Sequence, residues 1–329
     1  MKKVAVIGGD GIGPEVISAT VEVLNAMAIP LELLPADMGL ECFKRTGSYL
    51  PQATLDTLEA SDCCLFGAIT SPPSYDPSYR SPILFLRRQF DLFANIRPVR
   101  RLVPGVGLVD LDLTIVRENT EGMYTGREKE EGDGFVLERK VSESVCRRLV
   151  RRAVAQAEAE RRKTLTCVHK SNVLRKSDGL FRNVFFEEMA STKLQAKELL
   201  VDAAAAAMVT RPKEQECWVT LNLYGDILSD EAAALVGGLG FAPSGNYGDA
   251  WALFEPTHGS APDIAGKGIA NPTGTMLSAV MMLDFLGMGH DAARLNRAVE
   301  KVWAEGVRTP DAGGSVGTRQ FASLVASKL

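Results

Sequence analysis

Apolar positions along the chain alternate between two periods. Residues 4–7, 31–34, 63–67, 113–116, 164–168 and 219–221 are short apolar runs, the pattern of buried strands. Between them, residues 14–27, 82–92, 142–160, 177–189 and 224–236 carry apolar side chains at helical spacing, and Pro14 and Pro82 sit where a first turn accepts proline. Strands alternating with amphipathic helices predict βαβ units and a largely parallel sheet. The last third differs: Gly237-Gly238 leads into a Gly/Pro/Asn-rich stretch over 241–272, followed by three helices. Residues 128–134 are acidic and turn-like between strand-like residues 123–125 and 135–137. This reads either as a protruding hairpin, whose edge a second subunit would cover, or as a plain surface loop.

At 329 residues the chain has room for about two domains. Its composition, 46% hydrophobic and 24% charged, is that of a globular protein and argues against disorder. Thirty-seven basic against 41 acidic residues leave a net charge of -4, which argues against nucleic acid as a partner. The apolar run after Met1-Lys2-Lys3 is too short for a signal peptide, and no run approaches the ~18 residues of a membrane span. Six cysteines without CxxC spacing fit buried thiols in a reducing compartment, so the expectation is a cytoplasmic protein.

Candidate chemistry lies at the ends of the apolar segments. Gly8-Gly9-Asp10-Gly11-Ile12-Gly13 follows a strand and opens a helix, but Pro14 stands where a dinucleotide fingerprint needs its third glycine. The glycines read instead as a tight strand-to-helix turn. Asp226 and Asp230 are four residues apart near a helix start, so both project from one face. They would suit a hard divalent cation or simply complement the helix dipole. Asp202 opens a further helix directly after a strand. Arg87, Arg97 and Arg117 at segment junctions suggest an anionic substrate, since guanidinium forks grip carboxylates at two points. Lys170 at a strand end is a candidate base, or a solvated lysine, and Tyr124 a candidate proton donor, or an interface aromatic. Arg147, Arg148, Arg151 and Arg152 form a basic helix face, with Glu143, Glu158 and Glu160 on the same helix, and read as solvated. Residues 258–272 hold small residues and glycines that let backbone approach a ligand closely.

These segments together resemble the β-decarboxylating dehydrogenases, which act on isopropylmalate, isocitrate, homoisocitrate and tartrate. The resemblance runs end to end. It rests on Gly9-Asp10-Gly11-Ile12-Gly13-Pro14-Glu15, Asp91-Leu92-Phe93-Ala94-Asn95-Ile96-Arg97-Pro98, Val116-Arg117-Glu118-Asn119-Thr120-Glu121-Gly122, Asn222-Leu223-Tyr224-Gly225-Asp226-Ile227-Leu228-Ser229-Asp230, and residues 258–272. It implies an α/β fold, an open sheet in two domains that is not a Rossmann fold. The cofactor-side domain would join 1–92 to 237–329, and 93–236 would carry dimerisation and the metal and substrate site. Arg87, Arg97 and Arg117 would hold the carboxylates of a 2-hydroxy di- or tricarboxylate, and Asp226 and Asp230 would bind Mg²⁺ or Mn²⁺ with Asp202 of a second subunit. Lys170, also from that subunit, would be the base and Tyr124 the acid, so a homodimer would share its sites. His258, Gly259, Ser260, Ala261, Pro262, Asp263, Ile264 and Asn271 would hold NAD, with acidic Asp263 excluding the 2′-phosphate of NADP.

The implied reaction is oxidative decarboxylation of 3-isopropylmalate to 4-methyl-2-oxopentanoate, a step of leucine biosynthesis. Ile83 and Leu84 supply apolar contacts for an isopropyl group, and Ser81 matches a serine of isocitrate-type relatives whose following asparagine is here Ile83. The stretch Phe66-Gly67-Ala68-Ile69-Thr70-Ser71-Pro72 looks like homoisocitrate-type relatives. Homoisocitrate and isocitrate are therefore the alternatives, and a non-catalytic regulatory subunit a further one. Departures from the family pattern are Ser171, Tyr247 and Thr257, where Ala, Ile and Val are usual.

Overall fold

The computed structural model describes residues 1–72 and 79–329. Ten strands form one sheet: β1 Lys2–Gly9, β2 Leu31–Ala36, β3 Cys63–Ala68, β4 Ala94–Arg100, β5 Asp112–Glu118, β8 Thr164–His169, β9 Gln195–Leu200, β10 Cys217–Thr220, β11 Pro243–Tyr247 and β12 Ala252–Pro256. Two more, β6 Glu128–Glu131 and β7 Gly134–Leu137, make a separate ribbon. The helices among the described residues are α1 Gly13–Ala26, α2 Leu40–Thr46, α3 Gln52–Glu59, α4 Pro82–Gln89, α5 Glu143–Ala159, α6 Ser177–Met189, α7 Val201–Thr210, α8 Asn222–Val236, α9 Thr273–Phe285, α10 Gly289–Ala304 and α11 Thr318–Ala326.

The sheet order is β2-β1-β3-β12-β11-β4-β5-β10-β8-β9. Its first five strands come from residues 2–68 and 243–256, and its last five from 94–220. Both flanks are parallel, as the alternating pattern predicts. The centre is not: β12/β11, β11/β4 and β4/β5 are antiparallel. Two short reversals, rather than helical crossovers, produce this centre, which the helix-strand alternation does not signal.

The stretch 241–272 is also more regular than its composition suggests, because it holds β11 and β12 in the middle of the sheet. Ser244 and Asn246 are completely buried there, and side-chain hydrogen bonds replace the apolar signature of a central strand. The acidic segment is a hairpin, but its position is shifted. Glu128–Glu131 is itself a strand, paired with Gly134–Leu137 through a turn in which Gly132 takes a φ of +66°, and Met123–Thr125 is a single 3-10 turn. Charged residues fit a strand whose faces both meet solvent. Phe135 remains 74% exposed.

Helices cover both faces of the sheet, and the β1–α1 turn is tight. A Cβ on Gly11 would fall 1.9 Å from the Ser260 carbonyl oxygen. Gly11 thus serves close approach between the turn and the 258–272 loop. All six cysteines are buried and unpaired, and among the described residues no helix is long and apolar enough to cross a membrane.

Candidate active site

The three arginines come together from different elements. Arg87 lies in the last turn of α4, Arg97 within β4, and Arg117 near the end of β5, each at most 7% exposed. Arg117 lies flat against α8 because residue 225 is glycine: a Cβ there would stand 2.6 Å from Arg117 Cγ. Arg117 Nε and Nη2 donate to Asn222 Oδ1 at 3.2 and 2.8 Å, Nη1 pairs with Asp226, and the guanidinium sits 5.3 Å over the Tyr124 ring. Burial, and then the charges of Arg97 and Arg87, pull the Arg117 pKa down to about 9. Desolvated like charges of this kind are relieved by an anion among them.

Asp226 and Asp230 project from one face of α8 toward these arginines. Arg97 lies 3.5 Å from Asp226 and 3.2 Å from Asp230, and the Tyr124 hydroxyl donates to Asp226 at 2.5 Å. Burial resists ionisation of Asp226, but Arg117, the Tyr124 hydroxyl and Arg97 outweigh it and hold the carboxyl below its ordinary range. Asp230 is raised by burial, which Arg97 only partly offsets. Tyr124 is raised by burial and by its bond to Asp226, so the phenol keeps its proton at neutral pH. Two adjacent carboxylates, both partly open to solvent, fit the oxygen-donor preference of Mg²⁺ or Mn²⁺.

Lys170 and Asp202 do not join this group within one chain. Lys170 follows β8 and pairs at 2.5 Å with Asp202 in the first turn of α7. Fully buried Asp178 fixes the Lys170 backbone, accepting its N–H at 2.7 Å along with Arg139 and the Tyr224 hydroxyl. Among the described residues no three acidic, His or Cys side chains converge closely enough to hold a metal, so Asp202 stands apart from Asp226 and Asp230. Exposed apolar side chains flank both groups, Val173 at 66% beside Lys170 and Ile227 at 59% beside Asp226.

The 258–272 loop packs against the start of α1. The Ser260 carbonyl accepts the Ile12 N–H at 2.8 Å, its hydroxyl accepts from Thr70 at 2.7 Å, and Ile264 packs with Ile12, Val16 and Ala270. Ala261 holds a φ of +38°, a strained value of the sort found at ligand sites. His258 Nδ1 bonds the Gly259 carbonyl, whereas its buried Nε2 has no partner; burial lowers its pKa and keeps it neutral. That orphaned nitrogen, the open space at the Gly259 Cβ position and exposed Pro262 and Asp263 fit a bound dinucleotide. Asp263 makes no hydrogen bond or ion pair among the described residues, so it does not cap the turn. The Asn271 side chain, by contrast, is taken up by Asp311 and the Thr273 N–H.

Ser81 precedes α4 without capping it, and Ile83 and Leu84 lie within one turn of Arg87. Ile83 packs against the cluster around Phe66 and Leu92, whereas half-buried Leu84 belongs to no core cluster. Motif spacing does not single out Asn95, Glu118, Asn222, Asn246 or Glu255, although all contact the arginines or their partners. For Asn95, Glu118, Asn246 and Glu255 the one signal is a polar residue within a strand, whereas Asn222 opens α8.

The basic face of α5 is not simply solvated. Arg147 and Arg151 bind Glu188 on α6, Arg148 pairs with Asp91 and covers the Phe93 ring, and Arg152 lies over Tyr247. A surface recess of about 640 Å³ between α1 and α11 contains none of the candidate catalytic, metal or substrate residues.

Three comparisons bear on this arrangement. The family described as isocitrate/isopropylmalate dehydrogenase matches residues 3–325. A 3-isopropylmalate dehydrogenase of Methanothermobacter thermautotrophicus is 47% identical over 330 residues, covering 99% of this chain and 98% of its own. An isocitrate/homoisocitrate dehydrogenase of Thermus thermophilus is also 47% identical, over 329 residues with the same coverage of 99% and 98%. The crystal structure of an isocitrate dehydrogenase from Methylococcus capsulatus superposes with a TM-score of 0.94 at 39% identity, covering 100% of this chain and 99% of that one.

Proposed function

Because the chain belongs to the isocitrate/isopropylmalate dehydrogenase family, whose members are β-decarboxylating dehydrogenases, we propose that it oxidises and decarboxylates 3-isopropylmalate with NAD⁺. The observation that carries this reading is the convergence of three buried arginines on Asp226, Asp230 and Tyr124. Arg87, Arg97 and Arg117 hold the substrate's carboxylates, and neutralisation of their crowded charge favours binding. Asp226 and Asp230, with Asp202 of a second copy, would hold Mg²⁺ or Mn²⁺, and such an ion supplies Lewis acidity at the C2 oxygen. NAD⁺ on the 258–271 loop supplies the hydride acceptor. Lys170 of the second copy takes the hydroxyl proton as C2 is oxidised. Loss of CO₂ leaves the bonding electrons at C3, and Tyr124, still protonated at neutral pH, donates its proton there. The separation of Lys170 and Asp202 from the three arginines supports sites shared across a homodimer, as do exposed Val173, Ile227 and Phe135. On this reading 1–92 with 237–329 form the cofactor-side domain, 93–236 forms the other, and the protein works in the cytoplasm.

The substrate side chain is the open choice within the family. Leu84, free of the core, offers an apolar contact to an isopropyl group. Homoisocitrate or isocitrate is the second reading, favoured by the equal similarity to the Thermus thermophilus relative. The test is kcat/KM for 3-isopropylmalate, homoisocitrate, isocitrate and malate with NAD⁺ and Mn²⁺. A preference for 3-isopropylmalate is expected, preference for a tricarboxylate would move the assignment to the second reading, and no turnover of any by the isolated chain would favour a regulatory subunit.

A further inference from the structure

We propose that Asn246 is a positioning residue that sets Arg97 and Arg87 relative to each other through a buried hydrogen-bond chain running from Arg97 across the centre of the sheet to Glu255, the ion-pair partner of Arg87. The inference rests on the reading of these arginines as the substrate's carboxylate partners.

Asn246 on β11 lies opposite Asn95 on β4 in the antiparallel register, and both side chains are fully buried. Arg97 Nε donates to Asn95 Oδ1 at 2.7 Å. Asn95 Nδ2 donates to Asn246 Oδ1 at 3.0 Å, and Asn246 Nδ2 donates to Glu255 Oε1 at 2.8 Å. The same Glu255 oxygen lies 3.6 Å from Arg87 Nη2. The chain therefore begins on one candidate substrate arginine and reaches the other through two amides and the Glu255 carboxylate, the last link being an ion pair.

Its direction is fixed by chemistry. Arg97 only donates and an ionised Glu255 only accepts, so each amide has one orientation that satisfies both neighbours. Asn246 uses its full capacity: its oxygen also accepts from Asn119 at 2.9 Å, and its nitrogen also donates to the Leu253 carbonyl at 3.2 Å. Flipping it would oppose donor to donor and acceptor to acceptor inside the sheet and leave buried polar groups without partners. Because Arg97 commits its Nε to this chain, its two terminal nitrogens face Ser229, Asp230 and Asp226. Glu255 stands three residues before His258, so the same chain fixes the root of the 258–272 loop relative to Arg97.

A filler asparagine would contribute to stability alone. A positioning one makes a separate demand, since guanidinium forks set slightly apart or rotated lose two-point contact with a carboxylate. The variant Asn246→Asp keeps the size of the side chain but removes the donor to Glu255 and opposes two carboxylates. Asn95→Asp is the second variant: it strengthens the contact to Arg97 but removes the donor to Asn246, and it keeps the question answerable should the first not fold.

Steady-state kinetics would be measured with 3-isopropylmalate, or with homoisocitrate if that proves the better substrate, at saturating Mn²⁺. Thermal unfolding and dimer mass would be followed in parallel. The expected result for either folded variant is a KM for the hydroxy acid raised tenfold or more, with kcat and the NAD⁺ KM within about threefold of wild type. A KM within twofold of wild type overturns the proposal, whether or not Tm falls. Arg97→Gln and Arg87→Gln are run alongside. If they leave the hydroxy-acid KM unchanged, the substrate role of the arginines fails; if they raise it and the asparagine variants do not, only the positioning chain fails.

Discussion

One absent Cβ decides where Arg117 lies. Alanine at position 225 would improve helix propensity by about 0.8–1 kcal/mol, yet its methyl would need the space of Arg117 Cγ, 2.6 Å away. Gly225→Ala is therefore expected to raise the hydroxy-acid KM at least tenfold, about 1.4 kcal/mol, while the NAD⁺ KM stays within twofold. Unchanged kinetics with a raised Tm would show that Arg117 repacks freely. Asp263 gives the second residue-scale prediction. Its carboxylate is exposed and unpaired among the described residues, so a 2′-phosphate placed beside it would meet uncompensated like charge. Wild type is expected to prefer NAD⁺ in kcat/KM, and Asp263→Lys/Ile264→Tyr to shift that preference toward NADP⁺. Wild-type preference for NADP⁺ would remove the assignment.

Between elements, charge fixes what apolar packing leaves adjustable. Glu188 on α6 receives Arg151 and Arg147 from α5, and these bonds hold its carboxyl below the ordinary 4.5. A carboxyl depressed on folding contributes stability that is present above its unfolded pKa and is lost as pH falls through the folded one. Wild-type Tm should thus fall, as pH drops below about 4.5, by more than that of Glu188→Gln, measured by thermal scans at each pH. Parallel curves would mean the pairing adds nothing beyond what solvent screening leaves. The β6–β7 ribbon shows the opposite economy, presenting Phe135, Val136 and Leu137 of β7 to solvent. Such an unsupported ribbon is marginal alone and calls for a covering surface. Phe135→Lys is expected to weaken self-association in sedimentation experiments by tenfold or more, and an unchanged dimer would locate the interface elsewhere.

At the scale of the whole molecule, one chain carries two charged groups, Arg117 with Asp226 and Lys170 with Asp202. If a second copy completes each, inactive Lys170→Ala and inactive Arg117→Ala subunits should complement when mixed. Random exchange makes half the dimers mixed, each with one intact site of two, so about a quarter of wild-type turnover should return. Exchange demonstrated by mass without recovered activity would place Lys170 in its own chain's site. Removal of divalent ions by a chelator should abolish turnover while leaving the dimer assembled, read by activity and sedimentation on the same sample.

The linear order of residues determined the parts of this protein that depend on local spacing. Helix period placed Asp226 and Asp230 on one face, and short apolar runs marked β1, β2, β3, β5, β8 and β10, but neither β4 nor the polar edge strand β9. The failed glycine spacing at Pro14 separated the fold from a Rossmann domain, and the long motifs carried the family resemblance. Tertiary structure decided what depends on neighbours far apart in the chain. The antiparallel centre, the strands hidden in a Gly/Pro/Asn-rich stretch, and the union of Arg87, Arg97 and Arg117 all require contacts across many residues. Asn95 and Asn246 are separated by 151 positions and are adjacent only because β11 runs beside β4. Their cause is burial: a polar side chain deep in a sheet must find its partner, and the fold, not the local sequence, determines which partner is within reach.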